Sequence, residues 1–152
     1  MKKILVAALM ICMLMTVVAG CGNNEEQSTA EKLFDAKVEY VGDASAVSGL
    51  LSVVLGDRMG LYTIELATDE EPYGLTVNFG GVLPDEKEMQ GCACLILALT
   101  ENLSSVQWVS GSTTGGTVDL PAAAELTGKD VKSFGGSPQK VQKLMDDLEL
   151  SF

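Results

Sequence analysis

The sequence predicts an α+β fold, a small antiparallel sheet with about three sizeable helices packed on it in a single domain. One basis is a pair of segments, 62–67 and 73–79, in which apolar residues alternate with period two. Another is a set of three longer stretches with helical apolar spacing. The third is the length of 152 residues, which allows one domain and hardly two.

The two alternating segments predict a β-hairpin. Residues 69–72, which contain two Glu and a Pro, supply the turn between them. Alternation on both arms indicates an antiparallel pair with one buried face. Further strands are expected at 105–110 and, after a flexible turn at 112–116, at the sheet edge over 117–120.

Helix signals flank the hairpin. Residues 44–54 carry apolar side chains at i, i+3, i+4 and i+7 after a capping Asp43. Residues 86–102 are apolar nearly all round, which predicts a core helix lying across the sheet. A C-terminal helix begins where Ser137 caps and Pro138 occupies the first position. Shorter elements are expected near 33–34 (a helical turn), 37–41 (a weak strand) and 122–127 (a short helix).

The N-terminus has the layout of a secretory signal peptide, assigned to residues 1–20. Lys2 and Lys3 precede an apolar run at 4–19. As a helix this run would reach about 24 Å, short of the roughly 30 Å hydrocarbon core of a bilayer. The alternative is a permanent transmembrane helix.

The apolar run ends in Val18-Ala19-Gly20-Cys21, which resembles a bacterial lipobox. Small residues at Ala19 and Gly20 suit a signal-peptidase cleft, and the Cys21 thiol could form a thioether with diacylglycerol. Two or more acyl chains anchor a protein stably, since each buried methylene contributes about 0.8 kcal/mol. The sequence therefore predicts a protein anchored by Cys21 on the extracytoplasmic face of the cell membrane. A chance Cys beside an ordinary cleavage site is the alternative.

A lipidated Cys and polar tether at 21–32 would lead to the globular domain at 33–152. Lys2 and Lys3 would be lost with the signal. The 10 Lys and Arg less these two, against 21 Asp and Glu, give the mature chain a net charge of −13 in place of −11. Such acidity argues against a nucleic-acid partner.

The site chemistry is sparse. The chain has no His, so the usual general base and commonest metal ligand are missing. Cys92 and Cys94 would point about 200° apart on a helix, so they are not expected to form a disulfide or a metal site together. We interpret them as two buried thiols. No catalytic residue, metal site or cofactor is predicted. The acidic clusters at 69–71, 85–88 and 146–149 fit solvated turns and helix ends better than a calcium site.

A candidate binding surface is formed by Tyr40, Tyr73, Gly74 and Trp108. Large aromatic side chains line many binding clefts, although they also fill cores. Tyr73 and Gly74 lie at the hairpin corner beside acidic residues, which makes this position the first choice for mutation.

Three stretches, 40–47, 65–79 and 126–131, together resemble an uncharacterised bacterial family, the domain of unknown function four-eight-two-five. The resemblance runs from about Phe34 to near the C-terminus. It implies a lipoprotein or membrane-tethered protein of Gram-positive bacteria, and similar domains occur on membrane metallopeptidases of the beta-lactam sensor type. The family has no assigned activity, and the zinc motif of those peptidases is absent from this sequence.

Three hypotheses follow. The first is a non-enzymatic module that binds or senses a peptide, an envelope component or a membrane protein. The second is an envelope enzyme using paired carboxylates, which requires two acids converging in a cleft. The third is a regulatory subunit of a neighbouring membrane sensor.

Overall fold

A computed structural model describes residues 27–152. The predicted signal peptide, the cleavage residues Ala19 and Gly20, and Cys21 lie outside the described residues. The elements in chain order are α1 (Thr29–Asp35), α2 (Ala44–Val54), β1 (Tyr62–Ala67), β2 (Tyr73–Phe79), α3 (Glu86–Leu99), β3 (Leu103–Ser110), β4 (Thr113–Asp119), α4 (Leu120–Thr127) and α5 (Pro138–Asp147), with 3-10 turns at Asp57–Met59 and Val131–Gly136.

The four strands form one sheet in the order β1-β2-β3-β4. The β1–β2 hairpin has the predicted bounds and is antiparallel, and β3 and β4 are also antiparallel. The prediction of a wholly antiparallel sheet is wrong, because β2 and β3 pair in parallel. Helix α3 carries the chain back along the sheet between these two strands, and such a crossover permits parallel neighbours. The sheet is therefore mixed.

The helices follow their predicted caps closely. Helix α2 has the predicted bounds, and the Asp43 carboxylate accepts hydrogen bonds from the N–H groups of Ser45 and Ala46. Helix α3 ends at Leu99, earlier than predicted, because Thr100 adopts an extended backbone and pairs with Val38. The three longest helices match those predicted. Helices α1 and α4 lie where a helical turn and a short helix are predicted, and they bring the helices of the described residues above the three sizeable ones expected.

Helix α1 begins within the stretch predicted as tether. The Ser28 hydroxyl accepts a hydrogen bond from the Glu31 N–H at 3.3 Å, and the Glu31 carboxylate accepts one from the Ser28 N–H at 2.7 Å. The Ser28 hydroxyl also donates to the Glu31 carboxylate at 2.8 Å, and the backbone and hydroxyl donors of Ser28 together lower the pKa of Glu31. Since Ala30 and Leu33 are buried, α1 packs on the core and the folded domain starts at Ser28.

Strand β4 contains two glycines that the sequence placed in a turn. The turn is confined to residues 111–112, Gly116 pairs with Trp108 of β3, and Gly115 is the extra residue where the register of the two strands shifts. A Cβ atom at either glycine would overlap the indole of Trp108. The two glycines therefore let the strand pass directly over a fully buried ring.

Helix α3 lies at the centre of the core. Every residue from 91 to 99 is buried. The sheet covers one side of the helix, and α2, α5 and the 3-10 turn at Val131–Gly136 cover the others. Core-facing residues of the sheet alternate with polar ones, so the second face of the sheet is open to solvent.

The chain passes very close to the C-terminal end of α3 at Gly135. A Cβ atom there would overlap the carbonyl oxygen of Ala98. Both residues lie in the interior, where neither backbone can shift without disturbing its neighbours. Gly135 is thus required by a close approach of two backbones.

Replacing Gly135 with Ala is expected to lower the free energy of unfolding by about 2 kcal/mol or more, the cost of forcing extra volume into a packed core. Gly49 is the matched control, because it lies on the exposed face of α2 with nothing within 4 Å of an added Cβ. Gly49→Ala should raise the free energy of unfolding by about 0.5–1 kcal/mol. Urea denaturation of both variants checks this, and equal effects would contradict it.

Candidate functional site

A cleft lies at the end of the sheet where β2 and β3 begin. Its volume is about 470 Å³. The β1–β2 turn, the α3–β3 turn, the start of α4 and the second 3-10 turn form its walls. We call it the basal cleft, and its lining residues are Glu71, Pro72, Glu101, Asn102, Leu103, Ser104, Leu120 and Lys132.

Asn102 fixes the loop that borders the basal cleft. Its side-chain oxygen accepts a hydrogen bond from the Val41 N–H at 2.8 Å. This bond holds Tyr40 beside Tyr73, with the ring centroids 6.4 Å apart and the ring planes perpendicular. An edge-to-face pair of this kind is a favourable aromatic geometry. Tyr40 remains 53% exposed, so the pair presents an aromatic surface to solvent.

Three of the four predicted binding residues come together here. Tyr40 and Tyr73 are in contact, and Gly74 follows Tyr73 in β2, paired with Ser105 of β3. Trp108 does not join them. It is 1% exposed and lies in the core beneath β4.

Lys132 is the residue of this site that the sequence reasoning missed. Its ammonium donates hydrogen bonds to the carbonyl oxygens of Leu97 at 2.7 Å, Thr100 at 2.5 Å and Leu103 at 2.7 Å. These carbonyls lie at or just beyond the end of α3, where helical carbonyls lack partners and a cation is favoured. The sequence signal that could have indicated a buried role for Lys132 is that it is the one charged residue within the 3-10 turn Val131–Gly136.

The surroundings of Lys132 have opposing effects on the pKa of its amine. Burial lowers the pKa of its amine to about 8, while the carboxylates of Asp130 and Glu101 oppose that change and Lys37 adds to it. All three N–H donors are taken up by the carbonyls. Lys132 therefore closes the floor of the basal cleft instead of offering its charge to a ligand.

Replacing Lys132 with Met keeps the length of the side chain but removes its three donors. We expect the free energy of unfolding to fall by about 2–4 kcal/mol, because the carbonyls lose their charged partner. Lys32→Met is the control, since Lys32 is exposed on α1. Urea denaturation of the two variants provides the comparison, and a Lys132→Met protein as stable as the parent would contradict the prediction.

Acidic side chains dominate the mouth of the basal cleft. Glu71 and Glu101 both line it and both are exposed. Lys37 lies 3.5 Å from Glu101, an ion pair in which the Glu101 side chain keeps 63% of its exposure. The turn at 69–71 adds two more acids. The cleft thus has an acidic mouth, and the aromatic pair lies next to its Pro72 and Asn102 wall.

The two thiols of the domain are both buried in α3. Burial raises the pKa of Cys92 to about 12 and that of Cys94 to about 11. Since the thiolate is the reactive form, both are inert at neutral pH in the folded protein. Over residues 27–152 no group of three or more acidic or Cys side chains is arranged to hold a metal ion.

Comparison with protein families matches residues 33–121 to a domain of unknown function, DUF4825. The chain belongs to this family. The match spans the loop of Tyr40, the whole sheet and the start of α4, so it includes the greater part of the basal cleft. The association of DUF4825 with membrane metallopeptidases stays a prediction.

Searches of the curated proteins and of the solved structures find no match to this chain. Among the helices described for residues 27–152, none combines the length and the apolar character needed to cross a bilayer.

Proposed function

We propose that this member of the DUF4825 family is a lipoprotein, anchored by acyl chains on Cys21 to the extracytoplasmic face of the cell membrane. Its folded domain serves as a non-enzymatic binding or sensing module. The observation that carries the anchoring proposal is the lipobox-like sequence Val18-Ala19-Gly20-Cys21 at the end of the apolar run at 4–19. The folded domain starts at Ser28, where a capping box begins α1. Six residues lie between Cys21 and this cap, so the two are seven residue steps apart, a distance of at most about 25 Å.

Replacing Cys21 with Ala removes the only thiol that could receive diacylglycerol in the lipobox-like sequence. In cells fed a fatty-acid analogue, the label on the protein should disappear and the protein should leave the membrane fraction. Cys94→Ala is the control, because a buried thiol cannot be acylated without unfolding. Persistent label on the Cys21→Ala protein would overturn the anchoring proposal.

The basal cleft is the proposed binding site. Exposed aromatic faces attract cations, and acidic side chains around them strengthen that attraction. The Tyr40–Tyr73 pair lies beside Pro72 and Asn102 of the cleft wall, with Glu71 and Glu101 at its mouth. We infer that the cleft takes a cationic segment of a peptide or envelope component.

Titration with trilysine, followed by amide NMR shifts, tests this site. Shifts should concentrate around the basal cleft and weaken when salt rises from about 0.1 M to about 0.5 M. Tyr40→Ala should reduce affinity about two- to fivefold, the worth of one exposed cation–π contact. Leu126→Ala, on α4, should leave affinity unchanged. Shifts spread evenly over the acidic surface would contradict a defined site.

A second candidate is an envelope enzyme that uses paired carboxylates, because Glu71 and Glu101 line one cleft. A carboxyl group that acts as general acid at neutral pH is usually shielded from water. Both side chains are exposed and Glu101 is paired with Lys37, which favours binding over catalysis. A regulatory subunit of a membrane sensor is the third candidate, and pull-down from membranes would identify its partner.

A further inference from the structure

Strand β1 forms one edge of the sheet and has backbone groups that face away from the sheet. The Gly80 N–H donates to the Leu61 carbonyl at 2.9 Å, so these two residues are a hydrogen-bonded pair in the register of β1 and β2. Hydrogen-bonded pairs alternate with non-bonded pairs along an antiparallel ladder. The N–H and carbonyl groups at even positions of β1 therefore point away from β2, and they belong to Tyr62, Ile64 and Leu66.

The described elements leave this edge uncovered. The sheet ends at β1, and β2 is the element against which β1 chiefly packs. Over residues 27–152, no loop or helix backbone bonds to Tyr62, Ile64 or Leu66. Three N–H and three carbonyl groups thus form a regular row, which is a template on which a further strand can pair.

The side chains of the same three residues form a row that is only half buried. They lie on the helical side of the sheet, since their partners in β2 are buried core residues. All three pack against the margin of the core and keep part of their apolar surface in water. An added strand with apolar side chains beside them would remove that surface from water, which is favourable.

The charge around β1 favours a cationic partner. Residues 57–71 contain five acids and a single Arg. That residue, Arg58, is itself paired with Glu88 at 3.1 Å. Glu65 is exposed on the open face of β1, so a Lys or Arg of an added strand would lie directly opposite its carboxylate.

The other edge of the sheet, β4, is less suited to strand addition. The register of β4 on β3 shifts at the extra residue Gly115. Such a bulge interrupts the regular row of outward backbone groups and is a common protection of edge strands. Strand β1 pairs with β2 without any shift, so its row of outward groups is regular.

A second copy of the chain fits the β1 edge poorly. Two β1 strands paired antiparallel across a twofold axis would bring both Glu65 side chains to the same face as close neighbours, where like charges are destabilising. Each chain also has a formal net charge of −11. Because like net charge opposes self-association, the charge of this edge favours a cationic partner over another copy.

We propose that the edge of β1 binds an extended cationic segment of a partner protein as a fifth strand of the sheet. Main-chain hydrogen bonds hold the segment, and alternation of its side chains gives specificity. Its apolar side chains lie beside Tyr62, Ile64 and Leu66, and a Lys or Arg on its other face lies opposite Glu65. This site is separate from the basal cleft and does not depend on the lipid anchor.

The test uses the full-length protein in detergent micelles and the pentapeptide Val-Lys-Val-Lys-Val, blocked at both ends. In either strand direction its three Val lie beside the three outward-facing residues, and one Lys lies opposite Glu65. Exchange of amide protons with water, measured by NMR, should slow about twofold at positions 62, 64 and 66 when half of the protein is bound. Exchange at positions 63 and 65 should stay unchanged, because their N–H groups already bond to β2.

Two controls separate backbone pairing from charge. The peptide Val-Lys-Pro-Lys-Val keeps both charges but lacks the central N–H, and it should bind about two- to tenfold more weakly. Glu65→Gln should weaken binding of the first peptide about two- to fivefold, the worth of one exposed ion pair. Glu125→Gln makes the same charge change on α4, where Glu125 is exposed, and should leave binding unchanged.

Every other outcome overturns the proposal. Equal binding of the Pro peptide would show an electrostatic attraction without a fifth strand. Changes confined to β4 or to the basal cleft would place the peptide at another site. Exchange at positions 62, 64 and 66 that slows with protein concentration alone would show that a second copy occupies the edge. Exchange that does not slow at these positions would show that the edge stays open to water.

Discussion

Residues 91–99 of helix α3 are buried on every side, so the neighbouring elements are placed by the need to cover them. The sheet covers one side, and helices α2 and α5 with the second 3-10 turn cover the rest. The end of a buried helix must also find partners for its carbonyls inside the protein. The Lys132 ammonium donates to the Leu97 carbonyl, and the Val38 N–H donates to the Leu99 carbonyl. Gly135 passes directly against the Ala98 carbonyl. The floor of the basal cleft therefore follows from the burial of α3.

Features that depend on neighbours in sequence were predictable. The hairpin and helix α2 have the predicted bounds, because alternation and an Asp43 cap are local signals. The parallel pairing of β2 with β3 was not predictable, since it depends on how α3 returns the chain. Trp108 joined the candidate surface because no local signal reveals that two glycines on another strand cover it. The contact of Tyr40 with Tyr73 and the role of Lys132 are likewise long-range.

The two ends of the sheet differ in chemistry although the same strands build both. Within β1–β4 the charged residues are Glu65 and Asp119 alone, so the character of each end comes from its loops. The basal loops bring acids and two tyrosines together, and the opposite loops bring glycines, Leu61 and Val82.

The length of α3 also bears on how the chain would be exported. Secreted chains cross the membrane unfolded, and an apolar segment on the way can lodge there as a stop-transfer sequence. The 14 residues of α3 would reach about 21 Å as a helix, short of the roughly 30 Å that a membrane span requires. Its first turn carries Glu86 and Glu88, which shortens the apolar part further. The helix is thus long enough to form the core of the domain but too short to act as a stop-transfer sequence in the export proposed above.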